Sequence, residues 1–255
     1  MQRLVIITGA SRGIGATIAL ETNRKFKKGT LFLLLARDEV KLEEVKNKLT
    51  SESAENKIIN LKLDFSVNYQ KTELMHMIKS SLNSTDLKEI KEAYIFYNHG
   101  TLKLGSIESV AENLNEDFQI NVFSVWTLTS VLSDILPLEQ VPTQFHINIS
   151  SLLASLVQKN YSVYNTTRSS RATFFRCLAA EHPNLRVLNY QPGPVYTDMQ
   201  KQIYENNEAH LSSSYRELYE QGKLVYPEET VRRLWEILDK NEFENAATID
   251  YYDSV

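Results

Sequence analysis

The 255-residue sequence predicts an α/β fold, a single domain built on one doubly wound parallel sheet of about seven strands flanked by helices. Three observations predict it. Short apolar runs alternate with longer segments of helical period along the whole chain. Several runs are apolar at consecutive positions, as in strands buried on both faces. A glycine-rich turn directly follows the first run.

In chain order, a strand at 4–7 leads through Thr8-Gly9-Ala10-Ser11-Arg12-Gly13-Ile14-Gly15 into a helix at 15–27. Strands at 31–35 and 58–63 precede helices at 40–51 and 70–82. A strand at 94–97 is followed by a long helical stretch, 114–136. Strands at 145–149 and 187–190 precede helices at 161–181 and 228–240, and a strand at 248–251 closes the sheet. No repeat or linker interrupts the series. The polar stretch 206–214 is expected as a mobile loop over a pocket.

Composition narrows the function classes. Hydrophobic residues at 42% and charged residues at 24% suit a globular domain with a sizeable core. The net charge of −4, without a long run of either sign, argues against a nucleic-acid or anionic-membrane surface. The only cysteine, Cys177, excludes an internal disulfide and a multi-cysteine metal site, and is expected as a small buried hydrophobe in a helix. Phe174 and Phe175 are read as core. Met1 to Arg3 leave no room for a signal peptide, and no apolar run approaches the roughly 18 residues of a membrane span, so the cytosol is the expected location.

The glycine loop follows a strand and opens a helix, the context in which such glycines let backbone approach a dinucleotide's diphosphate at a helix N-terminus. Gly9, Ser11, Arg12, Gly13, Ile14 and Gly15 are therefore cofactor candidates. The second strand ends Leu35-Ala36-Arg37-Asp38. Arg37, with Arg12 closing from the other side, suits the 2′-phosphate of NADP(H), whereas Asp38 offers the alternative of an NAD-type acid on the ribose hydroxyl. Asp64 and Phe65 after the third strand, and Asn98 after the fourth, fall at the carboxyl edge of the sheet, where such ligands bind. Asp64 is an adenine contact or a helix cap. His99 is assigned no chemistry.

Tyr164 follows Ser151 by thirteen residues and lies four before Arg168, so Tyr164 and Arg168 share one helix face. Reducing a carbonyl needs a hydride and a proton. A tyrosine supplies the proton when a nearby cation brings its pKa down from about 10 toward the working pH, and a serine hydroxyl can orient the carbonyl oxygen.

Together the loop, the Asn-x-Gly after the fourth strand, Ser150-Ser151 and the Tyr-x-x-x-basic helix resemble the short-chain dehydrogenase/reductase family, a Rossmann-type fold, over essentially the whole chain. Within it, Asn189-Tyr190-Gln191-Pro192-Gly193-Pro194, Thr197-Asp198-Met199-Gln200 and Ile249-Asp250-Tyr251-Tyr252-Asp253 are similar to members that reduce pterin side chains. The resemblance implies Ser151 rather than Ser150 with Tyr164 as the catalytic pair, Asn121 as the proton-relay asparagine, and Arg168 at the family's lysine position. It places Gly193 and Thr197, Asp198, Met199 and Gln200 on the substrate side, gives Asp250 the amino-pyrimidine edge of the pterin, and implies a homodimer.

Two departures stand at one site. Arg168 keeps a permanent charge but does not readily give up a proton, and Tyr97-Asn98-His99-Gly100 replaces the family's Asn-Asn-Ala-Gly. Three readings follow: an NADPH-dependent pterin reductase of tetrahydrobiopterin synthesis, a reductase of other small ketones or dicarbonyls, and a weakly active NADP(H)- or pterin-binding protein.

Overall fold

The first apolar run is buried on both sides. In β1 (Arg3–Thr8), Leu4 and Ile6 enter one core while Val5 and Ile7 enter another. The computed structural model describes residues 1–82, 84–112, 114–205 and 217–254; the polar stretch 206–214 lies outside them. β1 is joined by β2 (Thr30–Ala36), β3 (Lys57–Lys62), β4 (Glu92–Tyr97), β5 (Thr143–Ile149), β6 (Arg186–Gln191) and β7 (Thr248–Asp250). All pair in parallel, in the order β3-β2-β1-β4-β5-β6-β7.

Helices cover both faces. α1 (Gly13–Lys25) and α2 (Glu39–Glu52) contribute to the Val5/Ile7 core, as does the helix Pro227–Lys240. On the opposite face lies α3 (Lys71–Ser81), with further helices from the second half of the chain. After the short α4 (Ser84–Glu89), the long stretch expected at 114–136 is divided into α5 (Leu114–Phe118), a π-turn (Gln119–Phe123) and α6 (Ser124–Ile135). Such turns insert an extra residue and recur at functional sites. Here the turn carries Asn121, which is buried. α7 spans Ser162–Glu181, α8 spans Asp198–Glu205, and Pro227–Lys240 is α9.

The expected α/β sheet is therefore present, with corrections of detail. α1 begins two residues early, at Gly13, and β7 ends at Asp250. The short helices α4 and α8 were not legible as periodic segments. Cys177 is exposed, not buried, because α7 packs through positions such as Tyr164, Arg168, Arg171, Phe175 and Leu178, and Cys177 falls off that face. Phe175 is fully buried, whereas Phe174 is partly exposed and packs on Trp126, ring centroids 4.9 Å apart. Among the described residues no helix is long and apolar enough to cross a membrane.

The chain runs from β1 to one edge of the sheet and returns to β4 on the other side of β1. Strand order reverses there, so the carboxyl ends of β1 and β4 open a crevice of the kind that binds ligands.

Candidate active site

A cleft of about 1050 Å³ runs along these carboxyl ends. At one end Gly9, Ser11, Arg12, Gly13 and Ile14 line it. Gly15 lies behind them, where a Cβ would come within 2.2 Å of the Gly9 carbonyl oxygen, so only glycine lets the turn close. Asn98 Nδ2 donates to the carbonyls of Thr8 (3.1 Å) and Gly9 (3.2 Å), tying the loop to the end of β4. Arg12, at the N-cap of α1, makes no side-chain cap bond, which leaves first-turn amides to a ligand.

The second and third strands add Arg37, Asp38, Asp64 and Phe65 to the wall. Asp38 caps α2, accepting from Lys41 N at 3.0 Å. Asp64 caps no helix, since α3 begins only at Lys71; its carboxylate accepts from Ser66 N (2.9 Å) and Ser66 Oγ (2.8 Å). Burial pushes the Asp64 carboxyl up, but the Ser66 bonds and the Arg37 charge outweigh it and hold it below its ordinary value. Phe65 is turned onto His99, rings stacked at 3.7 Å. With Asp38 engaged on its helix and Arg37 exposed beside the bare glycine loop, this end fits the 2′-phosphate and diphosphate of NADP(H) better than the 2′-hydroxyl of NAD. Arg12 Nη1 donates to Asp198 Oδ2 at 2.7 Å.

At the other end of the cleft, Arg168 reaches into the wall from α7. It is 4% exposed, its Nη1 donates to the Ile149 carbonyl at 3.2 Å, and its guanidinium carbon lies 4.9 Å from the Tyr164 ring centroid. Gly100 makes the room. A Cβ there would stand 2.4 Å from Arg168 Nη2 and 2.9 Å from Asn121 Oδ1. Asn121 bridges elements, with Oδ1 accepting from Thr101 N (2.9 Å) and Nδ2 donating to Thr167 Oγ1 (3.3 Å). Buried Tyr164 shares an apolar cluster with Leu153, Tyr161 and Ile203, against which the cleft residues Leu102 and Met199 pack.

Of the two serines, Ser150 lines the cleft; its buried Oγ, like Arg168 Nε, has no partner among the described residues. Ser151 Oγ accepts from Leu153 N at 3.2 Å, capping a turn of 3₁₀ helix. Thr197, Asp198, Met199 and Gln200 line the wall opposite the glycine loop. Gly193 and Asp250 are not part of that wall. Gly193 faces Tyr251 and Val225, and Asp250 Oδ1 accepts from Tyr252 N at 3.1 Å.

Two residues were missed from the sequence. Arg171, 1% exposed, donates to Asn148 Oδ1 (2.6 Å), to the His99 carbonyl (2.7 Å) and to the Tyr97 carbonyl. Asn148 passes the link to Asn189 at 2.8 Å, so one polar chain joins the ends of β4, β5 and β6. The available signal was its place seven residues after Tyr164 on the same helix face. His99 is no loose loop residue: its ring is buried between Thr8 Oγ1 (2.7 Å) and Ser124 Oγ (2.9 Å). Burial first, then the charges of Arg171 and Arg168, push its pKa well down, so it is neutral.

These features define a dinucleotide-binding fold in which Arg168, in the cleft wall, lies against the buried ring of Tyr164. The family model for short chain dehydrogenase matches residues 3–208, and the chain belongs to this family of oxidoreductases. It is similar to the sepiapterin reductase of Bos taurus, 30% identical over 98% of this chain and 94% of that one. It is also similar to the benzil reductase ((S)-benzoin forming) of Bacillus cereus, 28% identical over 97% of this chain and 98% of that one. Among solved structures, the KRED1-Pglu enzyme superposes with a TM-score of 0.82 at 21% identity, covering 97% of this chain and 100% of that one.

Proposed function

We propose that the chain is a single-unit, cytosolic, NADPH-dependent carbonyl reductase acting on the side-chain ketone of a pterin, a step of tetrahydrobiopterin synthesis. The observation that carries this reading is Arg168, set against the buried ring of Tyr164, at one end of a cleft whose other end presents the glycine loop and Arg37. The likeness to sepiapterin reductase over nearly the whole chain supports the substrate.

NADPH, when bound, supplies the hydride. The chain supplies the rest. Ser151 holds the carbonyl oxygen, with Ser150 beside it, and Tyr164 Oη donates the proton that completes the alcohol. Arg168 stabilises the negative charge that develops on the phenol oxygen and positions the ribose; it relays no proton itself. Asn121, held by Thr101 and Thr167, orients the relay. Asp250 takes the amino-pyrimidine edge of the pterin.

Mixing protein, NADPH and sepiapterin and following loss of NADPH absorbance tests this, with turnover expected. Tight NADPH binding without turnover, restored by Arg168→Lys, would instead establish a cofactor-binding protein of little activity. The likeness to benzil reductase favours a second reading, in which small ketones or dicarbonyls are the substrates. Asp250→Asn separates the two: pterin reduction falls alone in the first, and all carbonyl substrates are equally unaffected in the second.

The same reading includes a homodimer. The groove between α6 and α7, about 800 Å³, is lined by apolar residues including Trp126, Leu156, Val157 and Phe174. Trp126 is 60% and Val157 94% exposed, surface that a second copy would cover. Trp126→Asp should shift sedimentation from dimer to monomer; a wild-type protein that sediments as a monomer refutes the dimer.

A further inference from the structure

Arg12 and Asp198 are 186 residues apart in sequence, yet their side chains meet at 2.7 Å across the cleft. Arg12 belongs to the loop between β1 and α1, and Asp198 is the first residue of α8. The two segments also approach beside the bond, where a Cβ on Gly13 would touch Thr197 Cγ2 at 3.4 Å. The Arg12 side chain is 58% exposed and that of Asp198 67%. A pair so solvated contributes little and exchanges readily for a stronger partner.

We propose that Asp198 is a specificity-determining residue for the cofactor, acting as an internal competitor for the 2′-phosphate at Arg12; this rests on the NADP(H) reading of the cleft. A 2′-phosphate carries more charge than a carboxylate and offers three acceptor oxygens to the guanidinium fork. It therefore displaces Asp198, and the carboxylate left nearby opposes it. NADH carries no such group and leaves the pair intact. Asp198 thus weakens NADPH binding selectively, and NADPH binding frees the first turn of α8, which carries Met199 and Gln200 in the cleft wall.

Dissociation constants for NADPH and NADH, read by calorimetry on wild type, Asp198→Asn, Arg12→Ala and the double variant, test the proposal. Asp198→Asn should tighten NADPH binding by about 2- to 5-fold, the range set by an exposed ion pair, and leave NADH unchanged. In the Arg12→Ala background the same substitution should do nothing. The proposal is overturned if Asp198→Asn leaves NADPH binding unchanged or weakens it. Equal tightening of NADH overturns it too, since only net charge would then be at work, as does an effect that persists without Arg12. Wild type binding NADPH no tighter than NADH is a different failure, that of the cofactor reading, and takes this proposal with it.

Discussion

Two pairs of arginines serve the two ends of the cleft and are kept by opposite means. Arg12 and Arg37 are exposed at the nucleotide end, where Arg12 holds a carboxylate in water. Arg168 and Arg171 are buried at the other end, and the partners of their hydrogen bonds are backbone carbonyls and the amide of Asn148. The exposed pair is cheap to move and can change partners. The buried pair carries two like charges out of water, which is tolerable only while every carbonyl stays in place. Adaptability at one end and fixed geometry at the other is what a cleft needs if it must admit a large anion and then hold a proton donor still.

The sharpest way to break this comparison is to remove the buried charge. Burial, then the neighbouring Arg168 charge, already push the Arg171 guanidinium down from its ordinary value. Arg171→Met relieves that repulsion but strands the Tyr97 and His99 carbonyls and Asn148 Oδ1 in a dry interior. At about 1–3 kcal/mol per stranded group, partly offset, the net loss should be about 3 kcal/mol, read as a lower urea midpoint. A midpoint within error of wild type would mean the polar chain contributes nothing.

Acid adds buried charge of a second kind, on histidines. His99 is neutral for the reasons given, and burial first, then His182, pushes His146 down to about 3. Both folded values lie below the roughly 6.5 of an unfolded histidine, so the unfolded chain binds more protons between them. Stability is therefore complete above about pH 6.5 and is lost as pH falls toward 3, by up to about 1.4 kcal/mol per unit per histidine. Urea midpoints at about pH 7.5 and pH 5 should show the loss, and His146→Gln should flatten it.

The fold was legible because both-sided burial leaves continuous apolar runs, and the glycine loop because its close approach admits no side chain at Gly15. Tyr164 and Arg168 were legible because one helix turn brings them together without tertiary knowledge. The Arg12–Asp198 pair was not, since no local spacing joins residues on opposite walls of a cleft. Arg171 was overlooked because a charged residue normally signals solvent, although the phase of α7 placed it inward with Phe175. Cys177 failed by the converse error, with residue type overruling helix phase.

The smallest effect is expected where the comparison predicts indifference. Arg12→Ala removes a bond as short as the one Arg171 makes to the His99 carbonyl, 2.7 Å to Asp198. Yet both partners are more than half exposed, and water replaces the lost interaction at once. The stability change should stay below about 1 kcal/mol. It should shrink further between about 50 mM and 0.5 M salt, as screening shortens the reach of exposed charges. Arg171→Met, its charge buried and its partners uncharged, should change little over the same range. Parallel salt series on the two variants therefore decide whether burial, rather than bond length, separates the two ends of the cleft.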